Sequence, residues 1–306
     1  MLLKSHIISL IKVSFALITI YFYMILVSEY FSQLPEINLI NKIPLLILLV
    51  TIFILISILL SIAWHYILKS FSFIDKFQHS FISYNLSQFG KYFPGNVGQY
   101  ISRIYLGSKM KIPFKDSLGF IILESFWLIV AALVLSIFID FKFINNFFLS
   151  DNFLNSCRLL VAVFIFFIMF YIYKEICKIN FMKYKLLFKF LELRESVVLF
   201  FIYLIYFSGI GLVFYLILNF IMSISALSLL NIFGIISLCW IAGFIIPGAP
   251  AGLGVRELML VYLLSSFIST PEAITASIIF RLISLFSDLL LFLSSYLLRK
   301  FYQPIP

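Results

Sequence analysis

The chain of 306 residues is 63% hydrophobic and only 11% charged, with a mean hydropathy of +1.15. Soluble domains are about a quarter charged, so this composition excludes a water-soluble globular domain and points to an all-α polytopic membrane protein, in which helices satisfy their own backbone groups. The net charge of +9 would suit nucleic acid, but its distribution follows membrane topology instead.

A bilayer core needs about 20 apolar residues per spanning helix, and such runs lie near 7–31, 44–68, 118–139, 157–177, 196–222, 229–247 and 271–298, with a shorter one at 255–268. The first run is too long, and too free of a small-residue cleavage site, for a removed signal peptide, so it reads as a signal anchor. The segments between the runs are too short for a soluble domain, and residues 1–306 are expected to form a single transmembrane domain. Of the 22 Lys and Arg, 17 fall at the N-terminus, in 69–117, in 174–195 and at Arg299 and Lys300. The positive-inside rule then places both termini in the cytoplasm, as in a multi-pass protein of the cytoplasmic (inner) membrane, and the basic loops also attract anionic lipid. Cys157, Cys177 and Cys239 are odd in number and separated by topology, which argues against a disulfide framework. His6, His65 and His79 have no metal-binding spacing; His65, between Trp64 and Tyr66, reads as an interfacial belt residue.

Parity carries the next step. If 44–68 runs inward and 118–139 outward, the whole of 69–117 begins and ends on the cytoplasmic side. It nevertheless holds two helical, mostly apolar pieces, 77–93 and 97–106, joined by Pro94-Gly95-Asn96. Each is too short to cross, so a re-entrant hairpin is expected. The same reasoning makes 229–247 and 255–268 a second hairpin, entered from the opposite side. About six spanning helices plus two oppositely oriented hairpins result, roughly eight membrane segments. The halves, approximately 44–140 and 196–298, correspond in order. Gly98 to Pro113 spans 15 residues and Gly254 to Pro271 spans 17, and from each proline to a buried charge, Glu124 or Arg281, the steps are 11 and 10. Such an inverted repeat of broken helices is how transporters build a midplane site.

Backbone groups freed by Pro and Gly cannot face lipid, because each would cost several kcal/mol. A helix restarting after such a break aims unpaired N–H groups and its positive dipole end at the turn, which suits an anion. The expected ligand positions are Pro94, Gly95, Gly98 and Arg103 in the first half and Pro250, Gly252, Gly254 and Arg256 in the second, with Lys91 just before the first turn. Glu124, Arg281 and Asp288 lie inside spanning helices, where an Arg or Asp costs roughly 2.5–3.5 kcal/mol; with Glu257 they form the expected interior charge network. Glu124 is the simplest partner for Arg281 across the two halves. Glu257 either orients Arg256 or stabilises its helix start. Each charge has a second reading, a paired buried ion that fixes helix register.

Enzyme signatures are missing. No Gly-rich loop ends in Lys-Ser/Thr, no Asp-x-Asp pair marks a metal-dependent sugar transferase, and no catalytic triad stands out in the loops. A familiar enzyme is disfavoured, and no cofactor or metal is expected.

The segments PGNVGQYISR at 94–103 and PAGLGVRE at 250–257, followed by Pro271 and Arg281 in TPEAITASIIFRLISL, resemble the lysylphosphatidylglycerol synthase transmembrane region family, also called the flippase-like domain family. The resemblance covers about residues 80–298. It implies a bundle of about eight membrane segments that moves, or helps to move, a phospholipid or polyprenyl-phosphate-linked head group between leaflets of a bacterial or archaeal cell envelope. It also implies functional roles for Pro94, Gly95, Gly98, Arg103, Glu124, Pro250, Gly252, Gly254, Glu257 and Arg281. The family often has Glu-Arg where this chain has Glu124-Ser125, which leaves a charge network one member short, and often a glycine where Ala251 stands. The chain shows no soluble aminoacyl-transferase domain, so it is not expected to make lysyl-lipid by itself. The expected function is a lipid translocase, either a passive scramblase or proton-coupled through Glu124. The alternative is a membrane-embedded accessory or transferase subunit that presents a lipid-linked precursor to a partner glycosyltransferase of envelope biosynthesis. No nucleic-acid partner is expected.

Overall fold

The computed structural model describes residues 21, 23–37, 39–73, 76–92, 97–139, 193–245 and 250–301. The expected span at 157–177, most of the one at 7–31, the basic loop up to residue 192, Cys157, Cys177, and both Pro94 and Gly95 lie outside the described residues.

Within them the chain is helical throughout. Helix α1 (Ile43–Ser70) carries Pro44 in its first turn, where a missing N–H leaves no hydrogen bond unmade. Its 28 residues span about 42 Å at 1.5 Å per residue, longer than a ~30 Å hydrocarbon core. Two 12-residue helices follow, α2 (Phe77–Gln88) and α3 (Gly98–Lys109), with a 3-10 turn at Phe89–Tyr92 between them. Helix α4 (Phe114–Ser136) begins directly after Pro113, whose extended backbone serves as its N-cap. Helix α5 (Leu193–Leu216) continues into a π-helical turn at Ile217–Ile221; a carbonyl there, that of Phe220, accepts a hydrogen bond from Lys42 Nζ at 2.6 Å. Helix α6 (Leu229–Ile245) has 17 residues and α7 (Val255–Leu264) has 10, with a short turn at Pro250–Gly252 before α7. The 32-residue α8 (Thr270–Phe301) has Pro271 in its first turn and Arg299 and Lys300 in its last, where they meet the negative dipole end.

Among the described residues, four helical stretches are long and apolar enough to cross a membrane: Ile40–Ser70, Phe114–Ser136, Leu193–Ile221 and Thr270–Lys300. Their roles differ. Two thirds of the apolar window of α4 is buried against 22% for α1, so α4 is the central post and α1 turns most of its surface outward. Helix α4 packs on α5 and α6, α5 also packs on α1, and α8 closes against α1, α2 and α7. The core at these contacts is aliphatic and aromatic, with Trp64, Trp127, Phe207 and Phe214 fully enclosed.

The short helices pair, α2 with α3 and α6 with α7. In the first pair the chain reverses over a glycine contact: a Cβ on Gly98 would come within 2.3 Å of the Gly90 carbonyl oxygen, and one on Gly90 within 2.6 Å of Gln99 N. Only glycine at both positions allows that approach. Helix α2 departs from the expected lipid-like character. Ser80, Ser83, Asn85 and Ser87 are all buried, and each is hydrogen-bonded: Ser80 to His65 Nδ1 at 3.0 Å, Ser83 to its own helix, Asn85 to Ser61 at 3.1 Å, and Ser87 to Arg103. His65, expected at the membrane interface, is therefore part of an interior seam between α1 and α2, with Phe77 packed edge-on at 5.5 Å.

Candidate functional site

The two short-helix pairs meet. The turn Phe89–Tyr92 touches the turn Pro250–Gly252, and around this junction lies one chamber to which every helix from α1 to α8 contributes side chains. Its volume is about 160 Å3, on a scale where one water needs ~10–15 Å3, so it can hold a hydrated polar group of several atoms.

Seven charged side chains line the chamber, four cationic and three acidic. They pair in an order set by the repeat. In the first half Arg103 on α3 binds Glu124 on α4, both buried. In the second, Glu257 on α7 lies 3.4 Å from Arg281 on α8. Each pair joins the second short helix to the long helix that follows it, with the signs exchanged between halves. This corrects the expected pairing of Glu124 with Arg281, because each carboxylate reaches the cation of its own half first. The link across the halves is different: Asp288 on α8 accepts from Lys91 Nζ at 2.7 Å and from Tyr92 Oη at 2.5 Å. Lys91 thus supplies a third cation to the network.

Arg103, expected to hold a ligand, lines the chamber and is bound by protein through Nε and Nη1. Its Nε donates to Ser87 Oγ at 3.3 Å, its guanidinium lies 4.2 Å from the ring centre of Tyr84 and 4.8 Å from that of Trp64, and the residue is 2% exposed. Gly98 likewise serves the backbone crossing with Gly90. These two positions hold the first half together.

Arg256 differs from the other cations. No carboxylate partner lies within ion-pair distance of it among the described residues, and its Nε makes no hydrogen bond. Its side chain runs along a slot between Gly243 and Gly252, where a Cβ would lie 2.4 Å from Arg256 Cγ or 2.7 Å from Arg256 Nε. The guanidinium sits 5.8 Å from the Trp240 ring, which stacks on Phe244 at 5.0 Å. Arg281 is only partly satisfied, with Nε and Nη2 making no hydrogen bond. Glu257, left with two expected roles, performs the second and adds another: its Oε2 accepts from Gly254 N–H at 2.7 Å, anchoring the start of α7, while Oε1 faces Arg281.

The loop before α7 is built by unusual backbone. Gly252 and Gly254 have φ of +71° and +83°, and Ala251 has φ +52°. The first two explain the glycines. Ala251 occupies a left-handed conformation that costs an L-residue about 1–2 kcal/mol. Pro250 forms the turn itself.

Sequence reasoning missed Gly90, Gly243, Gln88 and Tyr206. Gly90 and Gly243 had a signal, a glycine within an otherwise helical run. Gln88 and Tyr206 had none, because their importance lies only in facing the chamber.

No curated protein matches the chain. The family description Lysylphosphatidylglycerol synthase TM region matches residues 7–291, nearly the whole chain and both motifs, and with helices able to span a membrane this describes a multi-pass membrane protein. The chain belongs to the lysylphosphatidylglycerol synthase transmembrane region family.

Proposed function

We propose that the protein translocates, between leaflets of the cytoplasmic membrane, a lipid whose head group is anionic, and that the head group passes through the chamber while the tails stay in lipid. The observation that carries this reading is Arg256: a chamber-facing guanidinium, held in a glycine slot and left without a carboxylate, in a cavity with four cations and three acids. An unpaired charge in such a place is costly, and an anionic ligand removes the cost. The start of α7 adds to it, since the first N–H groups of a helix lack intrahelical partners and favour negative charge.

The two short-helix pairs act as re-entrant hairpins of an inverted repeat, entered from opposite faces. Their lengths of 12, 12, 17 and 10 residues, their meeting at one chamber, and the matched Arg103–Glu124 and Glu257–Arg281 pairs support this. Both termini lie in the cytoplasm; Lys91 and Arg103 leave the loop tally because they face the chamber, but Lys69, Lys76, Lys109, Lys111 and Lys115 remain.

The test is reconstitution of the purified chain into vesicles holding a fluorescent anionic phospholipid or a labelled polyprenyl-phosphate lipid in one leaflet. Exchange between leaflets that falls in Arg256→Gln is expected. Binding without exchange would reject translocation in favour of an accessory subunit that presents the lipid to a glycosyltransferase.

A further inference from the structure

The three ion pairs of the chamber are not equally fixed. Arg103 is held by Ser87 and by two aromatic rings as well as by Glu124, and Glu257 is anchored by the Gly254 N–H. Lys91 and Asp288 are joined from opposite halves, and their side chains remain 24% and 14% exposed. Among the described residues theirs is the ion pair that crosses between the halves. Lysine carries a point charge and three donors on a flexible four-carbon stem, so it changes partners more readily than the rigid fork of an arginine.

The surroundings identify the second partner. The turn Phe89–Tyr92, which carries Lys91, touches Pro250–Gly252, and Gly252 forms one wall of the slot around Arg256. Arg256 and Arg281 both lie within electrostatic reach of Lys91 and of Tyr92, so three cations gather around one carboxylate. Asp288 accepts from Lys91 and Tyr92 on a single oxygen, Oδ2, as an oxygen of a bound anion would.

We infer that Asp288 is a resident stand-in for the ligand's anionic group, and that an arriving anion shares Arg256 and takes Lys91 from Asp288. Lys91 is then the residue that couples occupancy of the chamber to the joint between the halves. This rests on the anionic-lipid reading above and adds the group that responds to the ligand. Asp288 is not stranded by the exchange, because Tyr92 Oη still donates to it; the halves stay joined at this point by a hydrogen bond in place of an ion pair. The exchange is favourable, since a partly exposed ion pair is worth little whereas an uncompensated buried Arg256 gains from an incoming anion. A ligand shifts a conformational equilibrium only by binding its two states unequally. Lys91, held in one state and available in the other, supplies that inequality.

The experiment titrates the detergent-purified chain with labelled phosphatidylglycerol, a net anionic probe, and with labelled phosphatidylcholine, a net neutral one. Asp288→Asn removes the competitor and is expected to tighten phosphatidylglycerol binding about fivefold, the worth of one partly exposed ion pair. Lys91→Gln should weaken it, and Asp288→Asn added to Lys91→Gln should give no gain; Lys91→Met keeps the aliphatic stem if Lys91→Gln does not fold. A link that is only structural predicts no opposition of sign between the two single variants. Equal tightening by Asp288→Asn with and without Lys91 shows a general charge effect and overturns the exchange of partners, as does no tightening at all. A wild-type chain that binds both lipids alike overturns the anionic-lipid reading together with this one. Leaflet exchange of the same phosphatidylglycerol in vesicles is read separately: the expected binding pattern without leaflet exchange supports the change of partner at Lys91 and rejects translocation alone.

Discussion

Lys91 Nζ lies 2.7 Å from a carboxylate oxygen of Asp288, and this ion pair ties the end of the first short-helix pair to the last long helix. Tyr92 donates to the same carboxylate, so one acid on α8 holds the turn that abuts Pro250–Gly252. Any rocking of one half against the other has to stretch or break this link.

The link is partly open to solvent, with side chains 24% and 14% exposed, which limits its strength. Lys91→Asp is expected to destabilise the protein, and the exchanged pair Lys91→Asp with Asp288→Lys to recover about 1 kcal/mol of coupling. A double-mutant cycle of denaturation in detergent measures it. Strictly additive single effects would remove the interlock.

Arg103 and Glu124 should behave as a deeper pair. Arg103→Met leaves a buried carboxylate uncompensated and is expected to cost about 3–5 kcal/mol, whereas Arg103→Met combined with Glu124→Leu should restore most of it. If the double variant unfolds as readily as the single one, the pair has a role beyond mutual neutralisation.

The glycine crossing predicts a backbone effect. Gly90→Ala sets a methyl 2.6 Å from the backbone of Gly98 and Gln99, atoms that cannot rotate away, and overpacking of this kind costs typically 1–3 kcal/mol or more. The melting temperature should fall clearly, and an unchanged value would show that α2 and α3 have room to separate.

Gly243→Ala addresses transport instead. The three atoms nearest its methyl all belong to the flexible side chain of Arg256, so the arginine can move aside at small cost to the fold. Exchange of the anionic lipid should drop about tenfold, matching ~1.4 kcal/mol of lost binding, with thermal stability nearly unchanged. Equal loss of stability and exchange would argue that Arg256 is structural.

Ala251→Gly should stabilise the chain. At φ +52° the methyl is strained by about 1–2 kcal/mol, part of which is offset by the greater freedom of glycine in the unfolded chain. Thermal denaturation is expected to shift upward. A downward shift would mean that the buried methyl of Ala251 contributes more by packing than it loses by strain.

The helices, their ends and the pairing of short with long segments were legible from residue order, because they depend on local quantities: apolar run length, Pro113 and Pro271 at helix starts, and glycines beside turns. The expected 44–68 and 229–247 became Ile43–Ser70 and Leu229–Ile245, since a bilayer admits few alternatives to a helix of that length. Partner choice was not legible. Glu124 and Arg281 are equivalent by sequence spacing, yet each pairs inside its own half, because ion pairing depends on distances of a few ångströms that only packing sets. The same holds for Arg103 and Arg256, two arginines after two Pro-Gly turns. Tertiary structure places Trp64, Tyr84, Ser87 and Glu124 around the first, and two glycines with no described carboxylate at ion-pair distance around the second, and that difference in surroundings decides which charge is free to meet a ligand.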